Sequence, residues 1–446
     1  RDSTYDIHVS SPEPTQPEYK FLKVFQEHSF KYNPRDENRF LALIVGEKQI
    51  PEEKKIKILK AFEAGRNRQY FQAKLAFDSE VKIITKIMSI REDHGQIVAK
   101  FQNGFEGSFD PHMISDNADD FYNAIQGLVF VKIRNKKIVD IYPVEPPNNY
   151  EIAQELLDLA TEEYTTFKLL LQAFGYDILR MSDNDALLNL PRLFPLFKSP
   201  LTGRRINIIE ISNRGTGKTT TFTILQEFMN FRYYTEMPTY ANLIYDARNN
   251  VYGAVFLSNG LIFDEIQNWR SGASKSEIDS INATLSTGLE NCIWTRGAGA
   301  ESNFNTIHKC VPIIYSGNPL SGTLHKLTEE DMEDYLLQYN IFTLAILDRI
   351  HIIQIAQKPT FDKIINGKVL YPSVLRALVE LIQRKIEKQT NYILCENLSS
   401  RRSEQAIDIQ LILKALDIGL REGEVPNEEI CKRIYEYMRF TNVGVT

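Results

Sequence analysis

A chain of 446 residues has room for about two to four domains and a sizeable buried core, which excludes a peptide hormone or a lone binding module. Hydrophobic residues at 43% and charged residues at 25% exclude a disordered or collagen-like polymer. With 58 acidic against 52 basic residues the formal charge is -6, so any nucleic-acid partner must be held by a local basic patch.

Residues 1–18 are rich in Pro, Ser and Glu and are expected to form a loose leader. From Tyr19 to Asn67 apolar residues recur at helical spacing, as at Ile56, Leu59 and Phe62 after Pro51. From Tyr70 to Pro143 the pattern changes to short β-rich runs, among them Val81–Ile87, Gln96–Phe101, Gly127–Ile133 and Lys137–Tyr142, which predict a small barrel or sandwich of OB-like type. Residues 19–146 are therefore expected to form an N-terminal helical and OB-like domain.

Pro146-Pro147-Asn148-Asn149 can continue neither a helix nor a central strand, and the domain boundary is placed there. Helical spacing resumes over Ile152–Phe174 and Leu187–Phe197. A strand at Arg205–Ile211 then leads through a Gly-rich turn into a helix at Thr219–Asn230, the entry to an α/β core over residues 150–358. Residues 359–446 read as mostly helical and predict a C-terminal lid or a winged-helix-like tail. The four cysteines, Cys292, Cys310, Cys395 and Cys431, are expected to be reduced core thiols. Without a bilayer-length apolar run or a signal-peptide pattern, a cytoplasmic protein is expected.

The strongest chemical signal is Ser212-Asn-Arg-Gly-Thr-Gly-Lys-Thr219 between that strand and helix. Such a loop turns successive backbone N–H groups and the positive helix end toward phosphate. Residues Asn213, Arg214, Gly215, Thr216, Gly217 and Thr220 would line the cradle, with Lys218 on the β/γ-phosphates and Thr219 on Mg²⁺. Ser212 stands where the usual pattern has Gly. A bare Gly-rich surface turn would not need the flanking strand and helix.

Leu261-Ile-Phe-Asp-Glu265 is an apolar run ending in two carboxylates, which suits Asp264 as a second metal ligand and Glu265 as activator of the attacking water. Together these motifs point to hydrolysis of ATP or GTP. Cys310–Asn318 is another apolar run ending in a polar amide, which is either a bare turn residue before Pro319 or similar to the residue that positions the attacking water in AAA+ ATPases. Arg349 follows a short helical pattern, where it would either reach a neighbour's γ-phosphate or pair with Asp348 on the surface. Trp294 and Arg296 sit in a hairpin pattern with a Gly-rich tip, an aromatic-plus-basic pair suited to DNA or to a neighbouring subunit.

The ordered set Leu190-Pro-Arg-Leu-Phe-Pro-Leu196, Glu210, Asn213-Arg-Gly-Thr-Gly-Lys218, Ala241–Tyr245, Phe263-Asp-Glu265, Trp294-Thr-Arg-Gly297, Gly317-Asn318 and Asp348-Arg-Ile-His351 resembles the Lon-like BrxL ATPases of BREX phage-defence systems. These proteins look related to the minichromosome maintenance helicases. The resemblance implies an AAA+ P-loop core with a helical lid, ATP and Mg²⁺ as cofactors, and homo-hexameric or stacked rings on duplex DNA read with weak sequence specificity. It implies that Asn318 is the first sensor, that Arg349 acts in trans, that Arg296 faces DNA and that Arg402 is the second sensor, with Arg401 competing for that last role. Other defence-system proteins are implied partners, and no membrane is. Here Asn213 replaces Pro and Thr219 replaces Ser of the family pattern. Full BrxL-type chains continue into a Lon-like protease domain, whereas this sequence ends at Thr446, so no peptidase activity is expected. An unfolding module of an ATP-dependent protease and a replicative helicase of a mobile element are the competing readings.

Overall fold

The computed structural model describes residues 8–9, 20–46, 49–246, 248–269, 275–295, 306–320 and 329–442. At its centre lies a wholly parallel sheet in the order Phe231–Tyr234, Gly260–Phe263, Ile313–Gly317, Ile208–Ser212, Ile352–Ala356, Arg439–Asn442. A parallel sheet is covered on both faces, so its strands read as unbroken apolar runs such as Ile208-Ile-Glu-Ile211. Successive side chains still point to opposite faces. Ile208, Ile262, Ile314 and Ile352 join one core, while Ile209, Leu261, Ile313 and Ile353 join the other.

The first core is walled by helices Tyr150–Glu163, Thr166–Ala173, Lys218–Phe228, Pro372–Glu387, Ser400–Ala415 and Asn427–Met438, and it takes in Phe21, Phe25, Phe40 and Phe62 from the N-terminal helices. The second is walled by helices Lys275–Asn291 and Leu344–Asp348. A third core belongs to a seven-stranded antiparallel sheet, five of its strands from residues 80–143 and two short ones, Tyr245–Asp246 and Val251–Tyr252, joined to it through Tyr252 beside Ile90. The long strand Glu80–Asp93 pairs with Leu128–Arg134 over its first half and with Gln96–Phe101 over its second. A register shift between Ile87 and Ser89 marks the place where its pairing changes. Strands Glu106–Phe109 and Lys137–Pro143 flank these, and the sheet curls around Ile83, Phe101 and Val131.

Two expectations change. The segment after Pro359 also supplies strands: Ile365–Leu370 pairs with Ser29–Lys31 and Phe174–Tyr176, and Arg439–Asn442 is the edge of the central sheet. Such short runs carry no strand signal apart from their partners. The cysteines are not free thiols: Cys292 is bonded to Cys310 and Cys395 to Cys431, with Cα separations of 4.4 and 5.5 Å. The hairpin and the helix packing bring together residues that lie 18 and 36 positions apart. Among the described residues no helix is long and apolar enough to cross a membrane.

Candidate functional site

The strand Ile208–Ser212 runs into a loop whose Gly215 and Gly217 have φ of 74° and 83°, and the helix starts at Lys218. Only these two loop positions need the left-handed region that favours glycine. Ser212 still belongs to the extended strand, so the Gly-to-Ser departure costs the loop no conformational freedom. Lys218 is 9% exposed, and its ammonium donates to the carbonyls of Ser212 and Gly317 at 3.1 Å each and to Asn318 Oδ1 at 3.2 Å. Burial first, then Arg192, brings its pKa down to about 8, against the opposing pull of Asp264 and Glu265.

Those two carboxylates follow the neighbouring strand Gly260–Phe263. Asp264 accepts from Tyr233 Oη at 2.6 Å through Oδ2 and from the Glu265 N–H at 2.8 Å through Oδ1. Burial and that hydrogen bond push the Tyr233 phenol well above its ordinary pKa, so it stays a donor. Glu265 holds φ 55°, a strained setting for a side chain with a Cβ, and its side chain is exposed. Asn318 ends the strand lying between the phosphate-loop strand and the acid-bearing strand. Its N–H donates to Gln267 Oε1 at 2.9 Å and its carbonyl accepts from Tyr339. Lys218, Asp264, Glu265 and Asn318 therefore meet at the carboxyl end of three adjacent strands.

Exposed Thr219 and the carboxylate of Asp264 are hard oxygen donors at this end. Two protein oxygens suit Mg²⁺, which keeps waters and shares its shell with substrate phosphates. Arg214 is exposed and Thr220 half-buried on the same rim. The Asn213 side chain is committed elsewhere: it accepts from Lys358 N at 2.8 Å and donates to Lys358 O at 3.1 Å.

The arginines lie at the other end of the sheet. Arg349 follows helix Leu344–Asp348, and Asn207, just ahead of the phosphate-loop strand, donates to its carbonyl at 3.3 Å. Its guanidinium donates to Ser286 O at 2.8 Å and to Glu290, not to Asp348. Arg401 bridges Glu290 at 2.6 Å and Asp348 at 3.1 Å. Ser399 caps the helix that carries Arg402, whose guanidinium meets Gln405 at 3.1 Å and the Asp348 carboxylate at 3.7 Å. Arg349, Arg401 and Arg402 form one cluster, and neither Arg401 nor Arg402 is placed beside Lys218.

The hairpin reading divides. Arg296 lies outside the described residues. Trp294 is no stacking platform: it is fully buried, its indole N–H donates to Lys309 O at 2.7 Å, and a Cβ on Gly288 would stand 2.3 Å from its ring. The helix Lys275–Asn291 packs against the hairpin and covers the indole.

A phosphate loop, a paired acid edge and a positioning amide on adjacent strands of a mixed α/β body are the features of an ATPase domain. Residues 137–365 match the family described as Lon-like protease BrxL-like, ATPase domain, and the chain belongs to this BrxL-like ATPase family. It is 63% identical over 429 residues to uncharacterized protein 440 of Sulfolobus islandicus rod-shaped virus 1, covering 95% of this chain and 98% of that one. It is 31% identical over 438 residues to uncharacterized protein ORF426 of Acidianus filamentous virus 1, covering 93% and 97%. ORF425 of Acidianus filamentous virus 2 is 27% identical over 315 residues, 65% of this chain and 72% of the relative.

Proposed function

We propose that the chain is an ATP-hydrolysing, ring-forming AAA+ motor that encircles DNA. The observation carrying this reading is the separation of two half-sites. Cradle and arginine cluster sit at opposite ends of one five-residue strand, roughly 16 Å apart at about 3.3 Å per residue. An arginine so placed cannot reach its own subunit's γ-phosphate, but it can reach that of a neighbour in a ring. In this reading Lys218, Thr219 and Asp264 hold ATP and Mg²⁺, Glu265 takes a proton from the attacking water, and Asn318 orients that water. Arg349 and Arg402 then approach together from the adjacent subunit.

For DNA, the reading uses the curled antiparallel sheet as an OB-like platform and the hairpin Ile293–Thr295 with Thr306–His308 as a channel element carrying Arg296. A net charge of -6 is compatible with this, because screening confines each patch's field to about 8–10 Å at physiological salt. All three reported relatives are virus proteins, which favours work on a viral genome over host defence. Burial of Trp294 also removes the aromatic grip that an unfolding module would need there.

The test is imaging of the purified protein with duplex DNA and a non-hydrolysable ATP analogue, paired with ATPase assays with duplex DNA or an unfolded protein. Rings around duplex, with hydrolysis stimulated by DNA, are expected. A monomer under all conditions, or stimulation by the polypeptide alone, would sink the reading.

A further inference from the structure

Beneath the phosphate loop lies an ion cluster of Arg192, Glu210 and Lys358. Arg192, from the segment Leu190–Leu196, is fully buried against Glu210 in the middle of the phosphate-loop strand, with Nε at 3.0 and 3.1 Å from the two carboxylate oxygens. Lys358, just past strand Ile352–Ala356, donates to the same carboxylate. Burial, then Arg192, holds the Lys358 pKa well below its ordinary value. Taking such a set out of water is costly, and hydrophobic side chains would fill the space at least as stably, so the cluster calls for a use beyond stability.

Its remaining contacts indicate that use. Arg192 Nη1 donates to the carbonyl of Thr216 and Nη2 to the Thr216 hydroxyl, both at 2.9 Å. A trans peptide holds its C=O and N–H on opposite sides. A Thr216 carbonyl drawn inward therefore turns the Gly217 N–H outward, into the cradle, without any ligand to pull it there. On the other side of the loop the backbone of Lys358 clamps the Asn213 side chain.

We propose that Arg192 is a positioning residue for nucleotide binding: anchored by Glu210 and Lys358, it presets the peptide between Thr216 and Gly217 in the orientation that receives phosphate. This rests on the nucleotide reading above and adds a residue that never touches the substrate. It also assigns the Thr216 side chain to the support of the loop instead of to the ligand. The guanidinium fork is essential, because an ammonium at the same place keeps the charge opposite Glu210 but cannot engage carboxylate, carbonyl and hydroxyl together.

The experiment compares wild type, Arg192→Lys, Thr216→Val and Tyr437→Phe by binding of a fluorescent ATP analogue, steady-state ATPase kinetics and thermal unfolding. Tyr437 donates to Leu187 O in the same core and serves as a control for plain destabilisation. Arg192→Lys is expected to weaken nucleotide binding and raise KM about tenfold or more, with kcat at saturating ATP within about threefold. Thr216→Val should weaken binding about threefold to tenfold, and it carries the test if Arg192→Lys does not fold. Tyr437→Phe should lower the melting temperature without changing affinity. Binding within twofold of wild type in the folded variants, or an equal loss in Tyr437→Phe, overturns the positioning role. Failure of the wild type to bind the analogue overturns the nucleotide reading itself, and this inference with it.

Discussion

At the two ends of the central sheet, Lys218 and the arginine cluster are held in opposite ways. At the carboxyl end, Lys218 is held by neutral oxygens of Ser212, Gly317 and Asn318, and among the described residues no carboxylate pairs with it directly. At the amino end each arginine of the cluster has a carboxylate: Arg349 has Glu290, Arg401 has Glu290 and Asp348, and Arg402 has Asp348 and Glu333. Partial burial pushes the Glu290 pKa up, but Arg349 and Arg401 together outweigh it and the net shift is downward. One end has a cation awaiting an anion. The other has cations already neutralised, so they must be released before they can serve a phosphate. In the proposed ring the two would be half-sites completed between copies of one chain.

The sharpest way to break this comparison is Arg349→Ala. Hydrolysis at saturating ATP should fall about a thousandfold while nucleotide affinity is unchanged, since the arginine is worth 10³–10⁵ only in the transition state. Mixing Arg349→Ala with Lys218→Ala subunits should restore part of the rate, because the second variant still presents its arginine to the first. No recovery on mixing, with both variants assembled, would place the arginine in its own subunit's site. Glu265→Gln follows with a loss of about a hundredfold or more in turnover, the range of a lost general base. ATP should stay bound, read as nucleotide retained after gel filtration, and turnover at the wild-type rate would remove Glu265 from the chemistry.

The next effect concerns the bracing of the amino end. Helix Lys275–Asn291 carries Ser286 and Glu290, the partners of Arg349, and is stapled just beyond its last residue by Cys292–Cys310. Closing a loop of this length stabilises a fold by roughly 3 kcal/mol. Cys292→Ala with Cys310→Ala should therefore shift urea unfolding by about that amount and lower hydrolysis more than nucleotide affinity. An affinity loss without a rate loss would show the bridge serving the wrong end of the sheet.

Sequence and structure agree where the chemistry is local. The phosphate loop, Asp264-Glu265 and Asn318 each end a strand, and the order of apolar run then polar residue is readable because it is set within ten positions. What escaped depended on partners far along the chain. Arg192 and Glu210 stood in the recognised pattern, but nothing in their spacing indicated that they touch each other or Thr216. The Trp294 indole meets a carbonyl only because the hairpin closes, and the cysteines pair only because Cys310 precedes the strand Ile313–Gly317 and Cys431 sits on a late helix. Arg402 lies beside Arg349 because the last helices fold back onto the amino end of the sheet, a tertiary result with no sequence signal of its own.

The smallest effect expected is a pH dependence that separates the two ends without any mutation. Guanidinium groups keep their protons across the accessible range, so the cluster of Arg349, Arg401 and Arg402 does not titrate above neutrality. Lys218 does: with the cradle empty it loses its proton near pH 8, against an unfolded value near 10.5. A bound triphosphate opposite the ammonium favours the charged form, so binding takes up a proton above that pH. ATP affinity should then weaken about tenfold for each pH unit above 8, while kcat at saturating nucleotide changes little. The stability of the empty protein should move the other way. Between about 8 and 10.5 the unfolded lysine holds a proton that the folded one has released, so this group makes folding more favourable as pH rises. Lys218→Met should abolish the slope in affinity. An affinity flat from pH 7 to 9.5 in the wild type would mean that the ammonium is already neutralised in the empty cradle, and the contrast between the two ends would fail at its simplest point.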